Sequence, residues 1–229
     1  MTTTEQLSPE LSETAESRLS AVHDSFSDVY TDALRGECCR VRGIFPGDRV
    51  LPVHDWVRPV SHADRALLSH CRGATLDVGC GPGRMSAHLA ESGHVVLGVD
   101  IVREAVEQAR RRGVAALRRN VFDTLPGEGR WDTVLLADGN IGIGGAPLRL
   151  LRRASQLLNG AGRVVCDLAA PGTGVRHHDA RLVTDLKRSR PFPWAQVGPE
   201  AVGRIAADAG LRLAHLGDHH GRWYAVLVR

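Results

Sequence analysis

At 229 residues, with 43% hydrophobic content and a formal net charge of +3, the chain has the length of one ordinary domain with an appended segment, and enough apolar material for a substantial core. No uninterrupted apolar run approaches the ~20 residues a bilayer crossing needs, so membrane insertion is excluded. The positive charge is almost all arginine, Lys187 being the single lysine, and no interleaved aromatic residues accompany it, which argues against a specific nucleic-acid partner.

The five cysteines, Cys38, Cys39, Cys71, Cys80 and Cys166, form no Cys-x-x-Cys pair and follow no secretory leader; a reduced, cytoplasmic chain without a metal site is expected. Residues 1–17 are rich in Thr, Ser and Glu and read as a disordered tail. From Arg18 to Leu34, Leu19, Val22, Phe26, Val29, Tyr30, Ala33 and Leu34 recur at helical spacing, and Gly36 stops the pattern. Arg40 to Val60, punctuated by Pro46-Gly47, Pro52 and Pro59 around Trp56, reads as a loop-rich connector. The stretch 18–72 is therefore expected to be a helical and loop N-terminal extension, part of a lid over whatever 73–229 binds. Ser61-His-Ala-Asp64 is a capping-box pattern that opens a short helix.

Thr75-Leu-Asp-Val-Gly-Cys-Gly-Pro-Gly-Arg-Met85 then reads as a buried strand breaking into a glycine-rich turn and a helix, a place where free helix N–H groups and bare backbone receive a ligand. The dinucleotide fingerprint needs Gly or Ala five positions after the first glycine, and Arg84 stands there instead. His94 to Asp100 is a second strand, with a near-continuous apolar run typical of a parallel strand covered on both faces. A helix follows from Val102 to the arginines 110–112. Val114 to Arg119 and Trp131 to Ala137 supply two more strands. Pro147 opens a helix that Gly160 ends, and Arg163 to Leu168 is the fifth strand. After a polar stretch from Pro171 to Pro193, Pro199-Glu200 starts a last helix, and Leu211 to Leu216 with Trp223 to Val228 form an antiparallel hairpin. The expected fold is α/β: a Rossmann-like, seven-stranded, mostly parallel sheet with helices on both faces and a C-terminal antiparallel hairpin.

Asp77-x-Gly79-x-Gly81-x-Gly83 followed by Gly98-Val-Asp100 resembles motif I of the class I S-adenosylmethionine (SAM) dependent methyltransferases. The run Ala137-Asp-Gly-Asn-Ile-Gly-Ile-Gly-Gly145 is similar to a group of actinobacterial methyltransferases. The resemblance implies SAM as cofactor. Gly79, Cys80, Gly81 and Gly83 would cradle its methionine part, Asp77 would help hold the ammonium, and Asp100 would take the ribose hydroxyls. Ile101, Val121 and Phe122 would pack on the adenine, with Asn120, or Asp123 three residues on, accepting from its amino group; Ala137 is a further expected cofactor-binding residue.

Acceptor chemistry falls at the ends of strands four and five. Asp138 and His177 are the candidate catalytic residues, with Asn140, Asp167 and His178 beside them. A displacement at a sulfonium methyl needs alignment above all, and a base where the nucleophile carries a proton. The leading expectation is transfer to a small-molecule acceptor, O or N undecided. The alternatives are an RNA or protein methyltransferase and a non-catalytic SAM-fold binding protein.

Overall fold

The structure, a computed structural model, describes residues 24–229; the expected tail and the first residues of the helix expected from Arg18 lie outside the described residues. Helix α1 spans Phe26–Leu34, capped by Ser25, whose hydroxyl accepts from the Asp28 N–H at 3.1 Å while the Asp28 carboxylate accepts from the Ser25 N–H. The connector is more ordered than its proline punctuation suggests, for it holds strands β1 (Arg40–Arg42) and β2 (Arg49–Val50) and a short helix α2 (Val53–Val57). Helix α3 (His62–Leu68) carries the expected capping box.

From there strands and helices alternate: β3 (Thr75–Val78), α4 (Arg84–Glu91), β4 (Val96–Asp100), α5 (Arg103–Arg111), β5 (Ala116–Arg118) and β6 (Trp131–Leu136). A 3-10 turn at Asn140–Gly142 leads to α6 (Pro147–Leu157) and the ten-residue β7 (Leu158–Asp167). The stretch read as polar, to which no element was assigned, forms two strands, β8 (Val175–Val183) and β9 (Phe192–Val197). Helix α7 (Pro199–Asp208) and the hairpin β10 (Arg212–His219) and β11 (Arg222–Val228) complete the fold.

Seven strands form one sheet in the order β10-β11-β7-β6-β3-β4-β5, with β3, β4, β5, β6 and β7 parallel and β11 inserted antiparallel beside β7. The period of two divides its apolar residues cleanly. Leu76, Val78, Val134, Leu136 and Val164 face the layer of α6 and α7, whereas Leu135, Ala137, Val165 and Val226 face α3 and α4. Both faces being covered, Leu76, Val134, Leu135 and Leu136 are fully buried.

A second sheet, β2-β1-β8-β9, is antiparallel throughout. It joins the N-terminal extension to the segment after β7, with Arg40 opposite Val183 and Arg42 opposite Arg181. Pro193 sits in β9, an edge strand, where a missing N–H is tolerated. Val29 and Ala33 of α1 pack with Val41, Ala180 and Leu182 of this sheet as a separate small core. No helix among the described residues is long and apolar enough to cross a membrane.

Candidate active site

The carboxyl ends of β3, β4, β6 and β7 meet at the glycine turn. Parallel α/β sheets bind ligands at such an edge because loops diverge there and the next helix points its N–H groups at it. Gly79 adopts φ +70°, and a Cβ there would stand 2.7 Å from Asn140 Nδ2, so a larger residue would strain the backbone and displace Asn140. Asn140 reaches across from the loop after β6 and donates from Nδ2 to the carbonyls of Val78 (2.8 Å) and Gly79 (3.0 Å). Asp100, at the end of β4, accepts from the Gly81 N–H (3.1 Å) and from the Val102 N–H (2.8 Å), which ties the turn to the acid. Burial pushes its carboxyl up, against the pull of those N–H groups.

The other expected cofactor residues fall into different environments. Asp77 is 2% exposed and accepts from the Ser86 hydroxyl at 2.6 Å; burial pushes its carboxyl up to about 7. Cys80 is buried, its sulfur packed where a Cβ on Gly98 would be. Gly83 caps α4 and leaves room for Ala109 of α5. Ile101 is 45% exposed beside the turn, whereas Val121 and Ala137 are core residues. Asn120 is exposed, and its Oδ1 accepts from the Phe122 N–H at 3.0 Å, closing a local turn.

Asp138 follows β6 with φ +52°, a left-handed conformation that is uncommon outside glycine and that Asp and Asn tolerate best. Its N–H donates to Asp167 Oδ2 at 2.5 Å. Its carboxylate is shared by two guanidiniums: Arg84 Nη2 at 2.9 Å and Arg222 Nη2 at 3.1 Å. Burial raises its carboxyl, with Arg222 and Arg84 opposing. Arg84 and Arg222 also both pair with Asp64, which is 1% exposed, and Arg222 holds Asp167 through two further hydrogen bonds. His177 Nδ1 lies 2.7 Å from the Gly145 carbonyl, and His178 Nε2 lies 3.1 Å from Gln196 Oε1. The two histidines alternate on β8, so they address opposite faces of the small sheet.

Above the turn stands an aromatic cluster that the sequence did not announce. Phe26 stacks on Tyr30 at 5.3 Å, Phe26 meets Phe192 edge-on at 4.8 Å, and Trp56 and Trp194 extend the cluster at 6.0 and 6.5 Å. These are five of the chain's ten aromatic residues. The Tyr30 hydroxyl stands over Gly81, and burial raises its phenol, with Asp100 and Asp138 adding to the rise. On the far side Trp194 bridges to Ile143, and a Cβ on Gly142 would overlap the Ala195 carbonyl. Helical spacing marks Tyr30 as apolar-face and nothing more, since its second role needs β4 and β6 beneath it.

The fold and the turn define a class of protein, the transferases built on a Rossmann-like sheet with an antiparallel seventh strand. Residues 75–162 match the family model described as a methyltransferase domain. The chain is similar to a SAM-dependent methyltransferase from Bacteroides fragilis solved in complex with S-adenosyl-L-homocysteine, at 25% identity over 88% of this chain and 92% of that one, with a TM-score of 0.74. Its fold is also shared by the sugar N-methyltransferase KedS8 from Streptoalloteichus (22% identity, 92% and 96% covered, TM-score 0.58). A third similar structure is the 1,6-didemethyltoxoflavin-N1-methyltransferase from Burkholderia thailandensis, with its acceptor and S-adenosylhomocysteine bound (23%, 72% and 75%, 0.53). Residues 75–162 thus carry a methyltransferase domain, and the chain is a SAM-dependent methyltransferase.

Proposed function

We propose that the chain methylates a small molecule held between the glycine turn and the aromatic roof, and we group it with the actinobacterial methyltransferases that its Ala137–Gly145 run resembles. The observation that carries this reading is the roof itself: Tyr30 over Gly81 and Asn140 with Ile143 over Gly79 cover the turn from two sides. Cover of this kind favours a compact acceptor over a folded macromolecule. The residues suit the cofactor. Gly79 is bare where a Cβ would collide, Asp100 keeps lone pairs beyond its two N–H partners for a ribose diol, and the exposed Ile101 follows it for an adenine face. Asn120 would accept from or donate to the adenine edge, while Cys80, Val121 and Ala137 supply packing and backbone.

Bound SAM supplies an electrophilic methyl group on a sulfonium. The chain's own task is to align the acceptor in a site poor in water and to receive a proton if the nucleophile carries one. His177 suits the second part. A carbonyl only accepts, so at 2.7 Å from the Gly145 oxygen Nδ1 is the donor, and the neutral ring carries its free lone pair on Nε2. Asp138, engaged by two guanidiniums, is a holding group in this reading.

Calorimetry with S-adenosylhomocysteine and with NAD tests the cofactor; binding of NAD without heat from the sulfur ligand would sink the reading. With a labelled methyl group and small-molecule extracts, His177→Ala should lose 10²–10⁴ in turnover at unchanged S-adenosylhomocysteine affinity. Label appearing in RNA or protein instead would favour a macromolecular acceptor, and tight binding without transfer to anything would favour a non-catalytic role.

A further inference from the structure

The outer face of the small sheet is lined with arginines. Alternation along the strands turns Val41, Ala180 and Leu182 toward α1 and sends Arg40, Arg42, Arg181 and Val183 to the opposite side. Arg42 stands directly opposite Arg181 in the antiparallel register, and Val183 has Arg40 as its partner on one side and Arg188 on the other. Like charges placed directly across a ladder repel and destabilise it, so this arrangement calls for an anion. Among the described residues, Arg42 alone of these four arginines bonds a carboxylate, that of Asp48 at 2.7 Å. Arg181 and Arg188 are half-buried, and Arg181 Nη1 and Arg188 Nε are both buried without a partner among the described residues. Val50, opposite Arg40 on β2, is 57% exposed and gives the face an apolar spot. Guanidinium N–H groups around such a spot complement carboxylates interspersed with apolar side chains.

The chain itself carries a segment of that character. Residues 1–23, outside the described residues, hold Glu5, Glu10, Glu13 and Glu16 against the single base Arg18, with Leu7 and Leu11 among them. The positive excess of the chain therefore lies wholly in residues 24–229. The connection is made beside the arginines: the Asp24 N–H donates to the Arg188 carbonyl at 3.0 Å, and the Asp24 carbonyl accepts from the Arg190 N–H at 2.9 Å. Arg188 and Arg40 are two strand spacings apart, about 10 Å, whereas the eight residues from Glu16 to Asp24 reach up to ~27 Å. A tether of that length keeps the carboxylates at high effective concentration, which places this segment ahead of any anion drawn from solution. A segment too polar to build a core of its own can still be held by charge.

We propose that residues 1–23 lie back across this face as an acidic strap, with Glu10, Glu13 and Glu16 pairing with Arg40, Arg181 and Arg188. The strap relieves the repulsion between Arg42 and Arg181 and fastens the roof from outside. Strands β1 and β8 join the N-terminal extension to the segment after β7, so a strap that bridges both strands also holds the cover over the glycine turn. The contact is independent of which acceptor the enzyme methylates.

The test labels the arginines of the full chain with phenylglyoxal and reads the products by peptide mass spectrometry. In the parent, Arg40, Arg181 and Arg188 should be protected relative to Arg130, an exposed arginine in the loop before β6. When Glu10→Gln, Glu13→Gln and Glu16→Gln are combined, labelling of the three should rise roughly fivefold, the effect of a few exposed ion pairs, with Arg130 unchanged. Raised salt should do the same in the parent. A second measurement uses Arg188→Lys, which keeps the charge and supplies an amine for carbodiimide coupling. That amine should couple to Glu13 or Glu16 within one chain, while Lys187, which holds Asp32 at 2.6 Å, reports that the reaction works. Labelling that is equal in the parent and the triple variant overturns the proposal, whether the arginines are free in both or protected in both. Coupling found only between two chains overturns it as well.

Discussion

The two sheets of this molecule are built on opposite terms. The seven-stranded sheet is covered on both faces, and its central strands β3 and β6 are buried nearly end to end, their apolar residues divided between two continuous cores. The four-stranded sheet has one covered face. In β8, nine residues long, only Ala180 and Leu182 are buried, among His, Asp and Arg neighbours. The large sheet carries the stability and fixes the glycine turn, while the small one, with α1, forms the roof. With fewer buried residues per strand, the small sheet is expected to open at lower free energy than the large one.

The contrast breaks most sharply under truncation of a buried leucine in each sheet. Leu135→Ala, in a fully buried position of β6, should lower global stability by ~2–5 kcal/mol in denaturant unfolding. Leu182→Ala, 2% exposed in β8, should speed hydrogen exchange in α1, β8 and β9 while leaving the main transition nearly in place. Equal shifts of the main transition in the two variants would show one cooperative unit and remove the distinction between floor and roof.

A pH series sharpens the floor side. Asp77 titrates near 7 in the folded chain, against about 4 when unfolded, so folding favours its protonated form. That stability is fully present below about pH 4 and is lost as pH rises toward 7. Asp77→Asn keeps an oxygen for the Ser86 hydroxyl and cannot ionise. The variant should lose less stability than the parent between pH 5 and 8, and be the more stable by ~2–4 kcal/mol at pH 8. Parallel melting profiles would show that folding leaves this carboxyl unperturbed. The smallest effect belongs to the hairpin tip, where His220 and Gly221 both have positive φ, at +52° and +83°, as a two-residue turn of primed type requires. His220→Asn should raise stability by a few tenths to about 1 kcal/mol in thermal melts, because Asn adopts that conformation more readily.

How much of this was legible depends on how local the signal is. Val95 to Val99 announces a doubly covered strand by composition, and Gly79, Gly81 and Asp100 announce a ligand turn by spacing. The antiparallel place of β11 was readable from the family resemblance and not from periodicity. The small sheet was missed because its strands carry at most two buried residues each, too few for a period of two to stand out from a polar stretch. The proline and glycine punctuation of residues 40–60 marked real turns, but it concealed β1, whose partner β8 is remote in the chain. Asp64 was readable as a helix cap, since that needs three residues of context, whereas its bond to Arg222 spans 158 positions. Arg84 entered the sequence reading only as the residue that spoils a dinucleotide pattern.

Strand β1 pairs with residues about 140 positions later, having before them only the two-residue β2 as a partner. During synthesis, therefore, the seven-stranded sheet can begin to assemble through β3 to β7 while the N-terminal extension waits without its main partner. The roof over the glycine turn comes into being only after β8 and β9 have emerged, and Arg222, which pairs with Asp138, emerges later still. The order of delivery thus puts the glycine turn first, its cover second and the Arg222 contact with Asp138 last, so a nascent chain passes through a stage with the turn formed and open to solvent before anything closes over it.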